Sequence, residues 1–140
     1  MEHLDLSSLQ KAVGALGKTI GVAKDAAFMK KLDTVQRNAI RAGVIQHFEV
    51  AYELSWKFMQ RWLRLNKTPG IVDPLTRKDL FRLAAKSGLI DHPTAWFEFG
   101  EARNITSHGY DQKKAALVYK TALKFLGESK ALLQILESRN

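Results

Sequence analysis

The chain contains no cysteine. That absence excludes disulfides, thiolate nucleophiles and cysteine-ligated zinc or iron-sulfur centres, and it is compatible with a reducing compartment. Histidine is scarce too: of His3, His47, His92 and His108, no two have the i, i+4 spacing of a helical metal site, and neither an EF-hand nor a zincin motif occurs. No structural metal is expected. No apolar run approaches the length needed to cross a bilayer, and Met1 to Asp5 carry neither the basic region nor the apolar stretch of a secretory signal. The expectation is a soluble, cytoplasmic protein with no membrane association. Strand patterns, internal repeats, low-complexity tracts and linkers are missing as well.

What is present suits one folded unit. The 140 residues, 46% of them hydrophobic, are enough for one domain over residues 1–140 with one sizeable core. Twenty-two basic against fourteen acidic side chains give a formal charge of +8, which favours an anionic partner such as RNA or an acidic protein. Charge alone does not choose between them.

Apolar periodicity is helical throughout. Leu6, Leu9, Val13, Leu16, Ile20, Ala23 and Ala27 alternate steps of three and four, the stripe of one long helix. A second helix is predicted from about Thr34 to Asn66, with Ile40, Val44, Phe48, Tyr52, Trp56, Met59 and Leu63 on one face and Ile45, Leu54 and Trp62 broadening it. So wide a stripe calls for cover from two sides, by the bundle and by a second subunit, so an oligomer is expected. Thr68-Pro69-Gly70 ends this helix, and Thr76 is a candidate N-cap for a short helix through about Lys86, closed by Gly88. After Pro93 a further helix carries Trp96, Phe97, Phe99, Ala102 and Ile105 up to a break at Gly109, and Asp111 precedes a final helix to about Glu137. The fold class that follows is all-α, an up-and-down four-helix bundle with one additional short helix.

The chemistry gathers in Arg103-Asn-Ile-Thr-Ser-His-Gly-Tyr110, at the end of the third main helix. Arginine presents a fixed fork of donors that matches phosphate, histidine exchanges a proton near neutral pH, and tyrosine carries a modifiable phenol. Arg103 and His108 are about 140 degrees apart on an ideal helix, so they converge only through a frayed last turn or through a second copy of the helix. With those roles, His108 could remove a 2'-hydroxyl proton while Arg103 stabilises a pentavalent phosphate, cleaving RNA without a metal. The plain alternative has Arg103 paired with Glu98 or Glu101 and His108 resting on the helix C-terminus. Glu49 and Glu53, one turn apart, read either as an acid pair or, more plainly, as satisfied bundle-interior residues or partners of Arg103. Lys57, Arg61, Arg64 and Lys67, interleaved with Phe58 and Trp62, read as an RNA-binding stripe or as a solvated face. Trp96, Phe97 and Phe99 read as anchors of a core or an interface rather than stacking platforms.

Beyond the spacing, Arg41-Ala-Gly-Val-Ile-Gln-His-Phe-Glu-Val-Ala-Tyr-Glu-Leu-Ser-Trp-Lys57, Gly88-Leu-Ile-Asp91, Trp96 and the segment from Arg103 to Asp111 together carry a resemblance. The chain resembles the nucleotidyltransferase substrate-binding protein family of the HEPN superfamily over about residues 35 to 125. The resemblance implies an HEPN-like helical-bundle homodimer that works with a separately encoded minimal nucleotidyltransferase, in related pairs as the ribonuclease toxin against its antitoxin. The family's R-X4-H-X-Y motif falls on Arg103, His108 and Tyr110, with Asn104 in the polar position often found after the arginine. Arg103 and His108 would be catalytic, Arg103 and Asn104 would contact nucleotide or RNA, and Tyr110 would accept AMP from the partner. The chain itself would need no cofactor, since ATP and magnesium would belong to the nucleotidyltransferase. Where the family commonly has threonine after the histidine, this chain has Gly109. The resemblance also leaves open a non-catalytic module that binds nucleotide or presents substrate to the nucleotidyltransferase.

Overall fold

A computed structural model of the chain describes residues 3–106 and 111–140. Among these there are helices and no strands: α1 (Ser7–Lys24), α2 (Ala26–Lys30), α3 (Thr34–Asn66), α4 (Pro69–Val72), α5 (Arg77–Lys86), α6 (Pro93–Thr106) and α7 (Gln112–Arg139). The long helices α1, α3, α6 and α7 make the bundle, and α5 lies in the longest connection, between α3 and α6. None of the helices among the described residues is long and apolar enough to cross a membrane.

Local chemistry sets the boundaries. The Asp33 carboxylate accepts from the Gln36 N–H at 2.7 Å while the Gln36 side chain accepts from the Asp33 N–H at 3.0 Å, a capping box that satisfies two orphan donors at the start of α3. Thr76 caps α5 through the Asp79 N–H, as the sequence implies. Two short elements depart from expectation. The apolar stripe of the first helix reaches Ala27, yet Asp25 leaves helical geometry and caps α2 by accepting from the Phe28 N–H. The buried residue past the break is therefore Met29, and Ala27 is exposed. Beyond Asn66 the chain does not pass straight into a loop: Pro69 starts the single turn of α4, where a missing N–H costs nothing, and Val72 is fully buried.

Gly88 does close α5, with φ at +81°, the left-handed region that a side chain resists. The space a Cβ would enter holds the Arg139 guanidinium, which donates to the Ser87 carbonyl at 2.8 Å. The last turn of α7 is thus tied to the end of α5.

Helix α3 runs through the middle of the molecule, packed against α1 most extensively and against α4, α5, α6 and α7 elsewhere. Most of its wide apolar face is therefore covered from within the chain. The densest part of the core is aromatic: Phe125 of α7 meets Phe48, Phe99 and Trp96 edge-on, with ring centroids 5.1, 5.1 and 5.5 Å away. Trp96 and Phe99 anchor this core, as their spacing predicts.

Candidate functional site

Phe99 and Ala102 bury one face of α6, and Arg103, one turn after Phe99, leaves the edge of that face toward α3. On α3 the buried pair Phe48 and Tyr52 fixes the helix rotation, so the next residue of each turn, Glu49 and Glu53, borders the same edge. The three side chains meet there. Arg103 Nη1 lies 3.5 Å from Glu49 Oε2, and Arg103 Nε lies 3.6 Å from Glu53 Oε1, all about one-third exposed. These are ion pairs at more than hydrogen-bond length, and among the described residues the buried Nε–H has no hydrogen-bond partner. Nη1 also donates to the Thr106 hydroxyl at 3.3 Å, which in turn donates to the Arg103 carbonyl at 2.7 Å. The guanidinium is held in direction, with strong anion contacts still unmade.

Of the two readings of Glu49 and Glu53, the structure has the one in which they partner Arg103. The plain alternative for Arg103 itself is not what is found, because Glu98 and Glu101 lie on the exposed side of α6. Asn104 is exposed. His108 and Tyr110, the other two members of the motif, lie outside the described residues.

Beside Arg103 a cleft of about 260 Å³ opens between α3, α6 and the start of α7. Ile45, Ile105 and Val118 give it an apolar floor, while Glu49, Thr106 and Lys114 supply polar walls. Thr106 and Asp111, which bracket residues 107–110 in the sequence, both line it. Val50 and Leu117, each next in sequence to a lining residue, remain about half exposed.

A second cluster adjoins the first. Trp56 Nε1 donates to Glu53 Oε2 at 3.0 Å, so Glu53 joins Trp56 to Arg103. Over the other side of that indole the Arg77 guanidinium stacks 3.7 Å from the ring centroid and donates to the Tyr52 hydroxyl at 3.2 Å. Burial pushes the Tyr52 phenol above its ordinary pKa, and the hydrogen bond from Arg77 opposes the rise. A Cβ on Gly100 would fall 2.8 Å from that hydroxyl, so the bare backbone of α6 leaves it room. Tyr52 and Trp56 have visible i, i+4 spacing, but nothing local signals that a residue from α5 lands on them.

The basic stripe on α3 is divided by its neighbours. Phe58 is buried under Arg61, Arg64 pairs with Asp73 at 3.1 Å, and the Trp62 ring receives Arg139. Lys57, Arg61, Arg64 and Lys67 are all exposed, so the stripe is a solvated face, with Phe58 beneath it in the core rather than interleaved with it.

Comparisons with known proteins agree with one another. Residues 4–138 match the family described as nucleotidyltransferase substrate binding protein like. A curated relative from Haemophilus influenzae, named probable ribonuclease HepT, is 36% identical over 140 residues, covering 99% of this chain and 96% of that protein. A solved Haemophilus influenzae structure, described as revealing the fold of a substrate-binding domain of a nucleotidyltransferase, superposes with a TM-score of 0.90 at 37% identity, over 95% of this chain and 99% of the other. A Thermus thermophilus structure with a TM-score of 0.67 and 24% identity, covering 89% of this chain and 98% of its own, shares the fold. The chain belongs to the nucleotidyltransferase substrate-binding protein family.

Proposed function

We propose that the chain is a cytoplasmic, single-domain HEPN-type partner of a minimal nucleotidyltransferase, and that it cleaves RNA without a metal. The observation that carries the reading is Arg103, aimed along the α3 edge beside a cleft, with its Nε–H buried and unbonded among the described residues. Kinship with a protein named probable ribonuclease supports it. In the proposed reaction His108 takes the 2'-hydroxyl proton and the 2'-oxygen attacks the adjacent phosphorus. Arg103 stabilises the charge that builds on the phosphoryl oxygens. The bond to the 5'-oxygen then breaks and that oxygen takes up a proton. The products are a 2',3'-cyclic phosphate and a 5'-hydroxyl.

Two copies would place their α6 ends together as a homodimer, with half-exposed Val50 and Leu117 near the junction. The chain would be the toxin of a two-gene pair, and its nucleotidyltransferase, using ATP and magnesium, would silence it by moving AMP onto Tyr110. Purified protein in excess chelator is expected to cut RNA into fragments with cyclic phosphate ends, and His108→Ala to leave the RNA intact. If wild-type protein and His108→Ala are equally inert, the nuclease reading falls. Incubation with the nucleotidyltransferase and ATP should add one or more AMP units to the Tyr110 peptide in mass spectra. An adduct at another residue would reject that assignment.

A second reading has its own support. Glu49 and Glu53 both face Arg103, which offsets the charge offered to a phosphate and suits a non-catalytic module that docks nucleotide or presents it to the nucleotidyltransferase. That reading predicts nucleotide affinity with no turnover.

A further inference from the structure

Arg77 sits where an arginine costs little to hold still. Its guanidinium carbon lies over the Trp56 indole, 3.7 Å from the ring centroid, Nη1 donates to the Tyr52 hydroxyl, and the residue is otherwise exposed. Among the described residues no carboxylate pairs with it, whereas Arg103 faces two. Stacking fixes the plane of the fork and removes much of the rotamer entropy that a free arginine loses on binding, leaving the outer N–H groups for an anion. Other cations nearby also lie against rings: Lys57 is 5.7 Å from the Trp56 centroid and Lys78 is 5.6 Å from that of Phe97. Glu53, bonded to the Trp56 indole and paired with Arg103, joins this face to the edge where Arg103 stands.

We propose that Arg77, stacked on Trp56, is a second phosphate-binding arginine, which holds the backbone of a single-stranded RNA as it leaves Arg103 across the face formed by α5 and the second half of α3. The inference rests on the reading that the chain handles RNA at Arg103. A carboxylate on a protein surface would suit one such fork, but a set of cations on ring faces leading away from a phosphate site follows a polyanion better. Arg77 takes no part in bond breaking. It is a positioning residue, so its loss should appear in binding.

The test uses the full chain carrying His108→Ala, so that RNA stays intact, with a fluorescent single-stranded oligoribonucleotide titrated at several salt concentrations. Adding Arg77→Ala is expected to weaken binding about tenfold, the order of one charge-assisted phosphate contact, and to reduce the slope of log affinity against log salt by about 0.7. Arg77→Lys should fall between the two, because it keeps the charge and loses the planar fork over the indole. Trp56→Leu, which removes the platform and leaves the arginine, should weaken binding in the same direction. Lys18→Ala on α1 should change affinity by less than about twofold, as a lone surface charge does when it makes no contact. If the His108→Ala parent binds RNA and Arg77→Ala binds it equally well with the same slope, the inference fails and the RNA reading stands. If the parent binds no RNA, both fail. If Arg77→Ala spares RNA binding and instead weakens the nucleotidyltransferase complex, the face serves a protein partner and the RNA assignment is overturned.

Discussion

Replacing Arg103 by alanine is expected to lower the rate of the proposed RNA cleavage about 100- to 1,000-fold, the cost of removing one preorganised donor from a developing oxyanion. Two effects add up. The fork that would meet the phosphoryl oxygens disappears, and Glu49 and Glu53, which now face a guanidinium at 3.5 and 3.6 Å, are left facing each other and the incoming phosphate. Like charges so placed repel a polyanion, with no cation left between them to offset it. Stability should change little, because the side chain is about 29% exposed and its ion pairs are long. Arg103→Lys should recover only a small part of the rate, since a point charge does not reproduce a planar fork. The measurement is the initial rate of cyclic-phosphate formation, with circular dichroism to confirm the fold. A rate within threefold of wild type would dismiss Arg103 as a catalytic group.

How much of this was legible beforehand depends on how local the cause is. Helix α3 begins and ends where the periodicity puts it, because its apolar repeat is long and the end before Thr68 carries its own turn chemistry. Asp25 escaped the same reasoning: a capping carboxylate inside a continuous stripe breaks the helix without interrupting the pattern of apolar residues. The site divides the same way. Arg103 is conspicuous as part of a compact chemical spacing, and Glu49 and Glu53 are recognisable as one helical edge. Which of several acids Arg103 would choose depended on how α6 rotates against α3, and that is set by Phe99 and Ala102 packing into the core. Arg77 was invisible, because its partners Tyr52 and Trp56 come from another helix and only the placement of α5 joins them.

Core and site are mechanically one object, which makes Phe125 a position where a single truncation should cost both. Its ring is fully buried and touches Phe48 and Tyr52 of α3 together with Trp96 and Phe99 of α6. Phe125→Ala therefore opens a cavity between the two helices that carry Glu49, Glu53 and Arg103. The expected loss is about 3–5 kcal/mol, the range for phenylalanine truncated in a core. Against a total of roughly 5–15 kcal/mol for a domain of ordinary stability, that is a large share, and at the low end of the range it takes the protein close to unfolding. A fall in Tm of about 9–20 °C should accompany it, at roughly 3–4 °C per kcal/mol for a chain of this size. Urea melts followed by circular dichroism measure the change, with Val35→Ala, at a position 77% exposed, as the comparison. That variant should stay within about 0.5 kcal/mol of wild type, the usual range for a surface change. A Phe125→Ala loss below about 1 kcal/mol would mean that the helices close over the gap, since the cost of a cavity falls as its walls collapse. In that case α6 would shift against α3, and the pairing of Arg103 with Glu49 and Glu53 would change with it.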